Sequence, residues 1–128
     1  MTARGAFFFF FLKTVFWERG SEEVITRMLF ARMSVWTFKK GQREKGLDML
    51  DERISNVARS TKGYRGSMQL LSEEAADCAT LITLWENDKA REVSAKGVFK
   101  DAIKALEQYG ECPPDVSNFK MSDAELRV

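Results

Sequence analysis

The sequence predicts a small α+β domain of the ferredoxin-like type, with the element order β-α-β-β-α-β and an antiparallel sheet. Three observations lead to this fold class. Apolar residues alternate with a period of two in several short stretches, the period changes to about three and a half in two longer stretches, and Gly or Pro separates the stretches. A chain of 128 residues fits one such domain.

The first predicted strand covers residues 28 to 39, which are rich in Phe, Val, Trp and Thr. Because side chains alternate between the two faces of a strand, residue parity divides this segment. One face carries Phe30, Arg32, Ser34, Trp36 and Phe38, and the other carries Leu29, Ala31, Met33, Val35 and Thr37. Both faces are largely apolar, which is typical of a sheet with helices on one side and a partner on the other.

A helix is predicted from residue 42 to residue 60, with an apolar stripe and with Gly63 as a left-handed terminator. The stripe consists of Leu47, Leu50, Ile54, Val57 and Ala58. Two further strands, at residues 66 to 72 and 79 to 86, are separated by a polar turn and therefore predict a hairpin.

The second helical region begins at a cap on Asn87 or Asp88 and is interrupted at Gly97. Its second part carries apolar residues at helical spacing up to Tyr109 and stops at Gly110, before Pro113 and Pro114. A last short strand is predicted at residues 116 to 121. Residues 28 to 121 thus form the domain, and residues 122 to 128 form a C-terminal tail.

Residues 1 to 27 differ from the domain, since Phe7 to Phe11 is an unbroken phenylalanine run. The apolar stretch is shorter than the roughly 20 residues that cross a bilayer, and no small-residue cleavage site follows it. It has three interpretations: a membrane-surface anchor, an element that packs on the domain, or translated sequence upstream of a native start at Met28. We favour the third, because residues 22 to 25 can be encoded by purine-rich codons that resemble a bacterial ribosome-binding sequence, a few codons before Met28. Mass spectrometry of the intact protein from its natural source would exclude this interpretation if the measured mass included residues 1 to 27.

Composition excludes several classes of function. Lys and Arg number 20 against 19 Asp and Glu and are scattered, so we expect no nucleic-acid partner. The chain has no histidine, which removes Ser-His-Asp and Cys-His catalysis and the usual axial ligand of haem. Cys78 and Cys112 lack the spacing of a metal site and are expected to be free thiols in a cytoplasmic protein.

Three segments carry a family resemblance: residues 30 to 36 (FARMSVW), the turn Gly63-Tyr64-Arg65-Gly66, and residues 81 to 86 (LITLWE). They resemble the antibiotic biosynthesis monooxygenase family over residues 28 to 121. The resemblance implies a dimeric α+β barrel, in which the sheets of two copies pack face to face. It also implies a cavity between the sheet and the helices of each copy.

The family includes haem-degrading enzymes and cofactor-free oxygenases of quinols and anthrones. The haem-degrading members use an Asn on the first strand, a Trp ending the third strand and a His on the last helix. This chain has Ser34 and Trp85 at the first two positions, and its last helix offers Ile103 and Ala105 but no His. The resemblance therefore implies cofactor-free chemistry without a metal, in which an electron-rich phenolate reduces O₂ itself.

The candidate catalytic residues are Trp85 as an aromatic wall, with Ser34 and Arg32 as groups that stabilise a phenolate oxygen. Trp36, Tyr64 and Phe99 are the candidate substrate-binding residues. Each has a structural alternative: a core or interface position for Trp85, an exposed turn for Tyr64, and an ion pair with Glu86 or Asp115 for Arg32.

Besides a membrane-surface role through residues 7 to 17, which requires that this segment be translated, the sequence leaves two functions open. One is a cofactor-independent monooxygenase of small aromatic or quinol-type substrates. The other is a non-catalytic, stress-associated or ligand-binding protein of the same fold, which holds a small aromatic or apolar ligand. Both are expected to be homodimers without a membrane-spanning segment.

Overall fold

The computed structural model describes residues 29–123, apart from the side chains of residues 57 and 58. Its elements follow the predicted order, with the second helical region divided in two. They are β1 (Leu29–Thr37), α1 (Arg43–Ala58), β2 (Tyr64–Leu71), β3 (Cys78–Trp85), α2 (Asp88–Lys96), α3 (Val98–Ala105) and β4 (Asp115–Met121). The predicted extension at residues 1 to 27, the start at Met28 and most of the predicted tail lie outside the described residues.

The sheet is antiparallel throughout, in the order β2-β3-β1-β4. This order is that of the ferredoxin-like fold, so the predicted fold class is confirmed. The strand β1 lies at the centre, with Arg32 opposite Thr83 of β3 and Asn118 of β4. A polar position at the middle of β1 is therefore flanked by strands on both sides.

Element boundaries differ from the prediction by a few residues. The first strand ends at Thr37, because Phe38 leaves the ladder with β3 and instead forms an isolated bridge with Gly110. The strand β2 begins at Tyr64, two residues earlier than predicted, because a register irregularity between Tyr64 and Gly66 allows pairing to continue through the turn motif. Tyr64 is thus part of the sheet, and its assignment to an exposed turn was wrong.

The helices cover the even-numbered face of β1. The core on this side is formed by Trp36, Phe38, Leu47, Leu50, Ile54, Ala79, Leu81, Trp85, Phe99, Ala102 and Leu106. The opposite face of the sheet carries a second apolar group without a helix, which we call the outer face: Leu29, Ala31, Met68, Ile82, Leu84 and Met121. Parity along β1 therefore separates a face covered by helices from an apolar face without helices.

Local chemistry accounts for the ends of the helices. Asn87 caps α2, its side-chain oxygen accepting a hydrogen bond from the backbone N–H of Ala90 at 2.8 Å. Gly97 separates α2 from α3, as predicted. None of the helices within residues 29–123 combines the length and the hydrophobicity needed to cross a lipid bilayer.

The first residue of α1 ties that helix to the β2–β3 hairpin. Arg43 Nη1 donates to the carbonyl oxygens of Ser72 and Cys78, both at 3.0 Å, and lies 3.5 Å from that of Ala75. We call this contact the Arg43 clamp. It adds a side-chain donor to the carbonyl groups of the turn; those of Ala75 and Cys78 also accept backbone hydrogen bonds, from the N–H groups of Cys78 and Ser72.

Candidate functional site

All six residues proposed from the sequence lie in one connected group between the sheet and the helices α2 and α3. We call this group the Arg32 site. The side chain of Arg32 contacts two aromatic rings, and those rings contact the others. Its members are Arg32, Ser34, Trp36, Tyr64, Trp85 and Phe99.

Arg32 is the buried charge of this site, with only 3% of its surface exposed. Its guanidinium carbon lies 4.5 Å from the centre of the Phe99 ring and 5.8 Å from that of Trp85. Nη2 donates to the backbone oxygen of Arg91 and to Ser94 Oγ, both at 2.6 Å. Burial, together with repulsion from Arg91, lowers the pKa of Arg32 to about 10, so the group is still a cation at neutral pH.

The predicted ion pair of Arg32 with Glu86 or Asp115 was wrong. Glu86 pairs instead with Arg65, at 2.7 Å. Asp115 lies opposite Val35 and therefore faces away from Arg32. Arg32 pairs with no carboxylate of residues 29–123. Its charge is stabilised by a backbone carbonyl, a hydroxyl and two aromatic rings.

The two tryptophans of the site make the same local hydrogen bond. Trp36 Nε1 donates to Ser34 Oγ at 2.8 Å, and Trp85 Nε1 donates to Thr83 Oγ1 at 3.0 Å. Each pair is two residues apart on one strand, so both side chains share a face. The hydroxyls hold the indole rings in place, and neither indole N–H is free to bind a ligand.

Tyr64 lies at the edge of the site, with its ring 5.4 Å from that of Trp85 in an edge-to-face arrangement. Burial raises the pKa of Tyr64, and a hydrogen bond with Ser67 partly opposes this effect. The phenol is therefore neutral at pH 7. It can donate a hydrogen bond to a ligand oxygen but cannot act as a base.

An alkaline titration is expected to show this effect directly. Because the folded state holds the Tyr64 proton more tightly than the unfolded state, stability is unaffected by this group below pH 10 and falls as the pH rises above it. Tyrosinate absorbance should therefore include a component above pH 10 that Tyr64→Phe removes. Loss of a component at or below pH 10 in that variant would contradict the prediction.

Three residues of the site were missed by the sequence analysis: Thr83, Arg91 and Ser94. For Thr83 a pattern was available, because Ser34-x-Trp36 and Thr83-x-Trp85 repeat a hydroxyl two residues before a tryptophan on adjacent strands. Arg91 and Ser94 lie on α2, where alternating polar residues gave no indication of which side chains face the sheet.

A cavity of about 220 Å³ lies next to the site, beyond Trp36 at the end of α3. Its lining is Trp36, Ile103, Leu106, Glu107, Gly110, Glu111, Cys112, Pro113 and Pro114. The cavity thus shares one aromatic wall with the Arg32 site. No group of three or more Cys, Asp or Glu side chains suited to a metal ion occurs within the described part of the chain.

Comparison with solved structures identifies the fold. A protein of unknown function from Nitrosomonas europaea superimposes with a TM-score of 0.67 at 14% identity, covering 80% of this chain and 98% of that one. A protein from Chloroflexus aurantiacus with the provisional name antibiotic biosynthesis monooxygenase gives 0.59 at 15% identity, covering 78% and 97%. One of the same provisional name from Bordetella bronchiseptica gives 0.57 at 19% identity, covering 78% and 97%. The chain has the antibiotic biosynthesis monooxygenase fold.

This fold is shared by neighbours of unknown function and by neighbours with only a provisional name. No family model matches the sequence, and no curated protein matches it. The resemblance noted in the sequence is therefore confirmed at the level of the fold.

Proposed function

We propose that the protein is a cofactor-independent monooxygenase of small aromatic, quinol-type substrates. The observation that supports this most directly is the buried guanidinium of Arg32, which lacks a carboxylate and lies against the rings of Trp85 and Phe99. A cation in a site of low polarity stabilises an anionic oxygen strongly. The same site offers the hydroxyl of Ser34 and the neutral phenol of Tyr64 as hydrogen-bond donors.

In the proposed reaction, Arg32 lowers the pKa of the substrate hydroxyl, and the proton leaves to water. The resulting phenolate transfers one electron to O₂, and the two radicals combine to form a peroxide on a ring carbon. For an anthrone, the CH₂ group loses two hydrogens and gains one oxygen, while the second oxygen leaves as water. The protein contributes charge, aromatic walls and exclusion of solvent.

Oxygen uptake with a panel of quinols and anthrones tests this proposal. We expect uptake above the non-enzymatic rate, and we expect Trp85→Phe to reduce it about tenfold or more, since a smaller ring holds the substrate less well. Arg53→Gln, which removes an exposed arginine of α1, serves as the control and should leave the rate unchanged. Absence of uptake across the panel would count against the proposal.

A second candidate is a non-catalytic protein that binds an aromatic or apolar ligand, including a stress-associated role. Two features favour it: both indole N–H groups are already bonded within the chain, and the Arg32 site has no carboxylate to act as a base. Native mass spectrometry of the purified protein distinguishes the two candidates. A retained ligand that is not consumed in the presence of O₂ would favour the binding protein.

We propose that the outer face of the sheet packs against a second copy of the chain. Support comes from its apolar residues and from Leu70 and Phe119, which remain 48% and 49% exposed on the same side. A homodimer would cover these side chains. We also propose a cytoplasmic location, which the two unpaired cysteines support.

Phe119→Glu is expected to convert a dimer to a monomer, because it introduces a charge within the proposed interface. Val116→Glu is a matched control: Val116 is 44% exposed on the same strand but lies on the helix-facing side. Sedimentation analysis should show a dimer for the unmodified chain and for Val116→Glu. A monomeric unmodified protein would refute the proposed dimer.

A further inference from the structure

The helix-facing side of β4 is a second polar region beside the Arg32 site. Val116, Asn118 and Lys120 lie opposite Ser34, Arg32 and Phe30 of β1, and all three are exposed. Helix α2 reaches this edge through Arg91, whose side chain spans the gap between α2 and β4. We call this gap the basic groove, and it is formed by Phe30, Arg32, Arg91, Asn118 and Lys120.

Arg91 extends from α2 across two strands of the sheet. Its Nη1 donates to the backbone oxygens of Ala31 and Phe119, at 3.1 Å and 3.0 Å. Its guanidinium carbon lies 5.5 Å from the ring centre of Phe30, and Lys120 Nζ lies 6.0 Å from the same centre. Two cations therefore flank one aromatic ring at the opening of the groove.

The charges of the groove are not balanced by carboxylates. Arg32, Arg91 and Lys120 pair with no Asp or Glu of residues 29–123, and the acidic residues of α2, Asp88 and Glu92, are exposed without an ion pair to any of them. Arg32 Nε and Nη1 make no hydrogen bond within this range.

We propose that the basic groove binds a planar oxyanion of an aromatic ligand, such as a carboxylate attached to the ring that enters the Arg32 site. This inference rests on the proposed function and narrows its substrate class from neutral aromatics to aromatic acids. The Arg91 guanidinium keeps Nε and Nη2 for a carboxylate, because its two bonds to the sheet use Nη1, and these two nitrogens can donate two parallel hydrogen bonds. Phe30 provides an apolar floor, and Lys120 adds a charge at the rim.

The binding of two isosteric probes tests the inference. We would titrate the full-length protein with 2-naphthoate and with neutral 2-naphthamide by calorimetry, using the unmodified chain, Arg91→Gln and Lys120→Gln. Arg53→Gln and Lys100→Gln are matched controls, because they remove exposed charges of α1 and α3 outside the groove. Thermal unfolding shows whether each variant is folded. If Arg91→Gln is not folded, Lys120→Gln still tests the groove, because Lys120 is exposed.

We expect 2-naphthoate to bind about tenfold or more tightly than 2-naphthamide. Arg91→Gln should remove most of this preference, and Lys120→Gln should reduce it roughly threefold. Equal affinities for both probes, binding of neither, or equal losses in the control variants would overturn the inference.

Oxygen uptake separates this inference from the proposed function. Uptake with neutral anthrones but no preference for naphthoate would overturn the basic groove and leave the monooxygenase proposal standing. A preference for naphthoate that depends on Arg91, without uptake on any substrate, would support the groove and count against the monooxygenase.

Discussion

Replacing Gly63 with alanine is expected to lower the free energy of unfolding by about 3 kcal/mol. Gly63 has a φ of 90°, a conformation that residues with a Cβ rarely adopt. A Cβ at this position would also lie 2.6 Å from the Cβ of Ala90 on α2. The substitution thus combines backbone strain with a collision between the turn and the helix.

Gly41→Ala is a matched control that has the backbone strain but not the collision with a helix. Gly41 has a similar φ of 75°, but a Cβ there would meet nothing within 4 Å. Gly41→Ala should lower the free energy of unfolding by about 1 kcal/mol. Adding Ala90→Gly to Gly63→Ala should restore part of the stability that Gly63→Ala loses. Urea denaturation of the four variants measures these values; equal losses at Gly41 and Gly63 would show that packing against Ala90 costs nothing.

Arg32→Met is expected to raise the free energy of unfolding by about 2 kcal/mol while removing any activity of the site. Methionine has a similar reach but carries no charge that must be buried. The bonds that are lost leave few groups unsatisfied, because Ser94 Oγ already donates to the backbone oxygen of Arg91 at 2.8 Å. A gain in stability with a loss of function is typical of a residue retained for binding.

The pH dependence of this gain follows from the pKa of Arg32. Because burial lowers the pKa of Arg32 to about 10, the cost of the charge is present at every pH below about 10 and is relieved only as the pH rises above it. The advantage of Arg32→Met should therefore be constant from pH 6 to pH 9. Arg53→Met is the control at an exposed site, where we expect a change within about 0.5 kcal/mol. Destabilisation by Arg32→Met would mean that its hydrogen bonds outweigh the desolvation cost.

The strands and the inward-facing side of the sheet were predictable because period-two alternation determines which side chains share a face. Parity alone placed Arg32, Ser34 and Trp36 together, and cross-strand pairing brought Trp85 to the same side. The turn motif at Gly63 was recognised from the sequence, but its physical reason, the close approach of Ala90, required the structure.

The partners of Arg32 were not predictable. Sequence reasoning searches for an opposite charge, whereas the guanidinium here is satisfied by a backbone oxygen and a serine hydroxyl of α2. Backbone acceptors leave no trace in the sequence. The close packing of Gly46 against the Phe38 ring was missed for a similar reason, since it depends on how α1 lies on the sheet.

The Arg43 clamp also affects which parts of the domain open together. Opening the turn between β2 and β3 would break the two 3.0 Å bonds to Ser72 and Cys78 and release the first residue of α1. Protection of the turn amides against hydrogen exchange should therefore follow that of the start of the helix, although the two segments are distant in sequence. The hairpin turn and the helix start would then form one cooperative unit, linked by a single side chain.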